Sequence, residues 1–304
     1  MKGTTVKMVE LLEKCEICPH KCEIDRTKNQ IGRCKAKDTV KVAMASIHNF
    51  EEPCISGGNG SGTVFFSNCN LSCDFCQNYE ISQQGFGKEI TIERLSEIFL
   101  EQQLRGANNI NLVSPTSYAI QIIEAIKIAK TKGLNIPIIY NTNGYENIET
   151  IKLLDGYIDV YLPDLKYAEN ELAEKYSKIK NYFEIATNAV LEMYRQVGEN
   201  KYDNGLIKKG MIIRHLILPN HTENSKKVLK WISENMPKNI TVSVMAQYFP
   251  TYKAKEVKDI NRKITKHEYE KIENYLYSLD LEKGYIQEMG KHEEEYVPKW
   301  EINI

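Results

Sequence analysis

The sequence predicts an α/β protein: a parallel sheet wound from six β-α units, a partial (β/α)6 barrel, behind a small Cys-rich amino-terminal extension. Three observations predict it. From residue 63 onward, short apolar runs rich in Val, Ile and Tyr alternate with longer amphipathic segments. The short runs lack strict apolar/polar alternation, as parallel strands buried on both faces do. Residues 1–60 differ from the rest, with five of the eight cysteines, little helical periodicity and a glycine-rich stretch. The expected organisation is therefore an extension over 1–60 and a barrel over 61–304.

The predicted strands are 63–67, 109–113, 137–140, 158–162, 211–218 and 241–245. Between them, Thr91 caps a helix running to Leu104, and Gly133 closes a helix whose buried face carries Ile122, Ile123 and Ile126. Further helices are expected over 146–154, 169–178, 184–197 and 223–235, with a last long one over 265–283. Repeated βαβ units imply a parallel sheet with right-handed crossovers. In such barrels chemistry sits on the loops after the strands.

The 304 residues are 42% apolar, so a sizeable core is expected. Forty basic and 41 acidic side chains leave a formal charge of −1, with no long-range pull toward nucleic acid or anionic membrane. Residues 1–14 lack the apolar stretch of a signal peptide, and no run reaches transmembrane length, so a cytoplasmic location is expected. Cysteines in that compartment point to metal or redox chemistry.

Cys69, Cys73 and Cys76 follow the first predicted barrel strand with C-x3-C-x2-C spacing. Three thiolates can hold three irons of a cubane cluster and leave the fourth iron open, the mark of a catalytic site. Zinc would want a fourth ligand, and none lies within this loop.

The motif, with aromatic Phe75 before its last cysteine and Gln77-Asn78-Tyr79 after it, resembles the radical S-adenosylmethionine (radical SAM) superfamily. Asn143-Gly144-Tyr145, Tyr161-Leu162-Pro163-Asp164-Leu165-Lys166-Tyr167 and Arg214-His215-Leu216-Ile217-Leu218-Pro219 narrow the resemblance to a group related to pyruvate formate-lyase activating enzymes. The matches span about residues 15–280. The resemblance implies a partial (β/α)6 barrel, a 4Fe-4S cluster on Cys69, Cys73 and Cys76, and S-adenosylmethionine at the open iron. Its reductive cleavage would yield methionine and a 5′-deoxyadenosyl radical that abstracts a hydrogen atom. Phe75 and Asn78 carry over as cofactor-contacting positions. A flavodoxin- or ferredoxin-type protein is the implied electron donor.

The other strand ends supply polar candidates. Ser114 and Thr116 stand where many radical SAM proteins carry Gly-Gly-Glu to hold the cofactor's amino group; alternatively the segment is an ordinary turn with a helix cap at Ser117. Asn141, Thr142, Asp164 and Lys166 match residues that line the cofactor and a nearby monovalent cation in the related enzymes. Asn141 replaces a more usual Asp, so one negative charge is missing. Asp164 would face the sulfonium or pair with Lys166. Strand alternation puts Arg214 and His215 on opposite faces. By the resemblance Arg214 faces the cofactor or substrate and grips a carboxylate, leaving His215 a hydrogen-bonded core residue. Gln247 occupies a place where the related enzymes tend to have His; it can bond an adenine edge but cannot act as acid or base.

Cys15, Cys18, Cys22 and Cys34 supply four thiols, the ligand count of a zinc site or an auxiliary iron–sulfur cluster. Cys54 reads as a small buried residue. The glycines over 57–62 lack the Lys-Ser/Thr ending of a phosphate loop and are expected to bring the extension close to the barrel mouth. The expected function is radical SAM chemistry, with activation of a glycyl radical enzyme favoured by the resemblance. Modification of a small molecule or another protein is the alternative, and a non-enzymatic iron–sulfur electron carrier a third reading.

Overall fold

The computed structural model describes residues 10–287 and 299–304. Its strands are β1 (Val40–His48), β2 (Ser61–Phe66), β3 (Lys88–Ile90), β4 (Ile110–Val113), β5 (Ile138–Thr142), β6 (Val160–Pro163), β7 (Lys201–Asp203), β8 (Leu206–Leu216), β9 (Thr241–Met245) and β10 (Lys283–Ile286). They form one sheet in the order β10-β9-β8-β6-β5-β4-β2-β1-β3, with β7 hung on β8. The six predicted barrel strands are β2, β4, β5, β6, β8 and β9, mutually parallel along that path. The path ends at β10 and β3, which are not paired with each other, so the barrel is partial.

The longer helices are α1 (Ile92–Leu104), α2 (Ala119–Thr131), α3 (Ile148–Leu153), α4 (Asn170–Ser177), α5 (Tyr182–Val197), α6 (Thr222–Asn235) and α7 (Lys266–Ser278), beside two four-residue helices, Pro53–Ser56 and Tyr79–Ser82. Thr91 caps α1 as expected, its side chain accepting from the Arg94 amide. Ile122, Ile123 and Ile126 of α2 are fully buried in the core. These helices cover the outer face of strands that are themselves apolar on both faces, which is why the runs read as continuous.

Three elements differ from the sequence reading. β1, drawn from the expected extension, is a strand of the main sheet, antiparallel to β2. Its Val40 and Val42 pack in the main core, while Ala43 and Met44 pack with Phe65 and Ile81 on the other side. Ala, Met and Ser weaken its strand signature, so burial and not propensity makes it a strand. Helix α7 ends at Ser278, five residues short, and the chain returns as β10 parallel to β9. Finally, the glycines do not sit at the mouth. Gly60 has φ +80°, and a Cβ there would stand 2.4 Å from Asn49 and Ile47. It tightens the β1–β2 connection beside the His48–Ser61 pair, at the end of β2 away from the cysteine loop.

Residues 10–39 pack over the strand-end loops. Asn147 Nδ2 donates to the Glu16 carbonyl at 2.6 Å and Thr150 Oγ1 to that of Ile17 at 2.7 Å. Arg26, 1% exposed, donates to the Ser117 carbonyl at 2.8 Å. Cys54 is a small buried residue in a cluster with Ile139 and Leu162. Among the described residues no helix is long and apolar enough to cross a membrane.

Candidate active site

Cys69, Cys73 and Cys76 all face one cavity of about 480 Å³ at the ends of the parallel strands. The loop that carries them is fixed from several sides. Asn68, in a left-handed conformation at φ 70°, turns the chain out of β2. Asn70 Nδ2 donates to the Tyr145 carbonyl at 2.7 Å. The backbone amides of Ser72 and Asp74 donate to the carbonyls of Ser177 and Tyr176 at the end of α4. The Phe75 ring meets Tyr248 edge-on at 5.9 Å. The motif spacing therefore specifies a loop whose thiols turn inward while its backbone is tied to neighbouring strand ends.

Burial is the dominant influence on these thiols. It pushes Cys69 up to about 12, with Cys73 adding to the rise. It pushes Cys73 up to about 11, partly offset by the Lys166 charge, and raises Cys76 as well. Unliganded, the three are thiols at neutral pH, so metal binding must displace their protons. The donor set fits a cubane with one open iron: three sulfurs on one wall, no fourth cysteine in the lining, and His48 placed at the opposite end of β2. Among the described residues no three Cys, His, Asp or Glu side chains converge on a single ion position. Three thiolates on three different irons need no such convergence.

Of the sequence-predicted cofactor positions, Phe75, Asn78, Ser114, Asn141, Thr142, Asp164, Lys166, Arg214 and Gln247 line this cavity. Ser114 holds a left-handed φ of 57° just after β4. Gly144, at φ +82°, lets the loop after β5 approach the loop after β6, because a Cβ there would stand 2.4 Å from the Asp164 carbonyl oxygen. Lys166 Nζ bonds Asp164 Oδ2 at 2.5 Å. Burial works against the Lys166 charge, but Asp164 and Cys73 overcome it and hold the ammonium above the usual lysine value.

Two positions depart from expectation. Thr116 does not reach the cavity. It is buried, and its hydroxyl donates to Glu146 Oε1 at 2.6 Å, where Thr142 Oγ1 also donates. Its neighbour Ser117 caps no helix; it lies in a 3-10 turn and its carbonyl accepts from Arg26. Arg214 faces the cavity, but its fork is already engaged. Nε donates to Glu52 Oε1 at 2.8 Å, and Nη2 bonds both Glu52 and Glu51. The carboxylates that grip it are the chain's own, because residues 48–56 pass against β8 from the amino-terminal side. His215 is the buried partner on the other face, its ring nitrogens bonded to the Leu165 carbonyl and Ser225 Oγ. Burial lowers its pKa to about 4, so it is neutral.

Several lining residues were missed in the sequence. Glu51 and Glu52 precede a short helical turn and become visible only once Arg214 is seen beside them. Ser243 and Met245 alternate on β9 opposite Arg214 and Leu216, and strand period alone could have found them.

Of the amino-terminal cysteines, Cys15, Cys18 and Cys34 lie near one another, while among the described residues no three of the four converge on one ion position. Burial raises the Cys15 thiol, and Cys34 adds to the rise. Cys18 is likewise pushed up by burial, with Cys34 and Cys15 contributing. Cys22 sits between two left-handed residues, Lys21 and Glu23, and the Arg33 amide points at its sulfur at 3.4 Å. A Cβ on Gly32 would stand 2.9 Å from that sulfur. This segment touches the first loop directly, since His20 Nε2 bonds the Asn70 carbonyl oxygen at 2.8 Å.

A family model described as the radical SAM superfamily matches residues 63–232. The chain is 36% identical over 287 residues to an uncharacterised protein of Methanocaldococcus jannaschii, covering 89% of this chain and 77% of that one. It is 24% identical over 259 residues to the pyruvate formate-lyase-activating enzyme of Clostridium pasteurianum, covering 78% of this chain and 99% of the enzyme. Among solved structures, Streptococcus suis SuiB bound to precursor peptide SuiA superposes with a TM-score of 0.51 at 15% identity, covering 74% of this chain and 47% of SuiB. SuiB bound to S-adenosylmethionine gives 0.50 at 14% identity, covering 74% and 49%. The chain thus spans about half the length of SuiB, and at this identity the likeness concerns the fold. With the match over more than half its length and three cysteines turned into one strand-end cavity, the chain belongs to the radical SAM superfamily.

Proposed function

We propose that the cavity holds a 4Fe-4S cluster on Cys69, Cys73 and Cys76 together with S-adenosylmethionine, and that the chain abstracts a hydrogen atom from a glycyl radical enzyme. The observation that supports it most is the three inward thiols sharing one cavity with the polar strand-end residues. When bound, the cluster supplies the electron that cleaves the sulfonium of S-adenosylmethionine.

The chain's own residues bind and orient. The amino and carboxylate groups of the cofactor need acceptors and donors, which Ser114, Asn141 and the Asp164–Lys166 pair present at adjacent strand ends, whereas the Thr142 hydroxyl is taken by Glu146. Asp164 would face the cofactor's positive charge, and Lys166, kept protonated, its carboxylate. Asn78 and Gln247 offer amide edges to adenine. Arg214, held by Glu51 and Glu52, lines the cavity with its charge already paired.

The glycyl radical reading is favoured by the likeness to the pyruvate formate-lyase-activating enzyme over nearly that enzyme's whole length. A flavodoxin- or ferredoxin-type protein is the proposed electron donor. Cys15, Cys18, Cys22 and Cys34 are proposed to hold a second metal, zinc or an auxiliary iron–sulfur cluster. The test is deuterium transfer. The reconstituted protein is given S-adenosylmethionine, reductant and pyruvate formate-lyase labelled with α,α-dideuteroglycine. Deuterium in the 5′-deoxyadenosine, with a glycyl radical signal, is the expected result. Unlabelled 5′-deoxyadenosine formed at the same rate with and without that protein would overturn the glycyl radical reading.

A further inference from the structure

Each of the three cysteine sulfurs has a polar side chain from elsewhere in the chain beside it. Ser177 Oγ lies 3.0 Å from Cys73 Sγ. Ser82 Oγ lies 3.2 Å from Cys76 Sγ. Asn143 Nδ2 points at Cys69 Sγ at 3.5 Å. The three come from three places: the end of α4, the short helix Tyr79–Ser82 after the motif, and the loop after β5. Nothing in the C-x3-C-x2-C spacing requires any of them.

Each of these side chains is itself held. Tyr167 Oη lies 2.8 Å from Ser177 Oγ. Gln83 Nε2 donates to Ser82 Oγ at 3.4 Å. Asn143 donates to Asn70 Oδ1 at 2.8 Å, and its own Oδ1 accepts from the Tyr145 amide at 2.9 Å. A thiolate can only accept. Once the cysteines are ligands, the direction is therefore fixed: Tyr167 donates to Ser177, and Ser177 donates to Cys73; Gln83 donates to Ser82, and Ser82 to Cys76. Ser177 and Ser82 are buried, so these bonds act in a low-dielectric setting where they count for more than in water.

We propose that Ser177, Ser82 and Asn143 are positioning residues that donate one hydrogen bond to each cysteine sulfur and thereby set how readily the cluster accepts its electron. The proposal rests on the cluster assignment above. A donor aimed at a ligating sulfur draws negative charge from it. Reduction adds negative charge, so the donor stabilises the reduced state more than the oxidised one and raises the reduction potential. No atom is transferred; only the balance between the two oxidation states moves.

The experiment is an anaerobic potentiometric titration followed by electron paramagnetic resonance. It follows the reduced signal that changes on adding S-adenosylmethionine, which separates the catalytic cluster from any other iron. Wild type is compared with Ser177→Ala, Ser177→Thr, Tyr167→Phe and Ser82→Ala, each with iron and sulfide content measured. The expected result is a more negative midpoint for Ser177→Ala and Ser82→Ala at unchanged iron content. A smaller shift of the same sign is expected for Tyr167→Phe, and recovery toward wild type for Ser177→Thr. Should Ser177→Ala fail to keep its cluster, Tyr167→Phe and Ser82→Ala carry the same prediction. Midpoints that stay at the wild-type value in iron-replete variants would overturn the proposal. A wild-type protein with no signal responsive to S-adenosylmethionine would instead remove the cluster assignment itself.

Discussion

Arg214→Met removes the guanidinium that Glu51 and Glu52 share. Both carboxylates are nearly buried, with side-chain exposures of 9% and 6%, so neither can turn to water for compensation. For Glu51, burial alone would raise the carboxyl. The Arg214 charge, the His48 ring 3.6 Å away and the Arg214 hydrogen bond instead hold it down to about 2, against an ordinary 4.5. That gap corresponds to about 3 kcal/mol of stability at neutral pH. It sits at the lower end of the roughly 3–5 kcal/mol lost when one partner of a buried ion pair is removed. Because the folded value is depressed, this contribution is complete above pH 4.5 and is lost as pH falls toward 2. Anaerobic urea unfolding at pH 7, followed by far-ultraviolet circular dichroism, should show Arg214→Met less stable by about 3–5 kcal/mol. Adding Glu51→Gln and Glu52→Gln to it should recover at least half of the loss, because amides need no cation. A loss below about 1 kcal/mol, the size of an exposed pair, or no recovery in the triple variant, would refute the reasoning.

Four further outcomes are expected. Burial drives the Glu146 carboxyl up to about 7 in spite of hydrogen bonds from Thr116 and Thr142. Its stabilising effect is complete below pH 4.5 and is lost as pH rises through 7, so between pH 5 and 8 wild type should lose up to about 3 kcal/mol that Glu146→Gln keeps, read as the shift between their urea midpoints. Thr116→Val should cost about 1–3 kcal/mol of stability by stripping a buried bond, with S-adenosylmethionine affinity unchanged by calorimetry. Asp164→Asn should weaken that affinity at least about tenfold, about 1.4 kcal/mol. Metal analysis of wild type and Cys18→Ser should show one metal centre missing from the variant while the cluster responsive to S-adenosylmethionine stays; equal metal content would argue against a second centre.

Much of the fold was legible because the barrel strands are apolar on both faces and the helices between them carry a buried apolar face or, in places, a clear cap. Thr91 and the Ile122–Ile126 face are examples. β1 was not legible, since Val40-Lys41-Val42-Ala43-Met44-Ala45 becomes a strand only by pairing with β2 and β3. β10 was not legible either, because it follows α7 without a strong turn and, among the described residues, pairs with β9 alone. At the site, cysteine spacing and strand-end position led to residues that share one cavity. They failed at Thr116, where adjacency to Ser114 suggested a shared role. The left-handed turn at Ser114 separates the two: Ser114 lines the cavity, while Thr116 turns inward to Glu146. They also gave no warning that Arg214 would be met by Glu51 and Glu52. That contact joins residues more than 160 positions apart in the chain and leaves no local pattern.

The central claim is that Cys69, Cys73 and Cys76 support reductive cleavage of S-adenosylmethionine. The direct test is formation of 5′-deoxyadenosine by the anaerobically reconstituted protein with S-adenosylmethionine and a strong reductant, beside a variant with all three cysteines changed to Ala. Product from wild type and none from the variant is the predicted result. No product from a wild-type protein whose cluster is shown to be intact and reducible would contradict the account and favour an electron-carrier role.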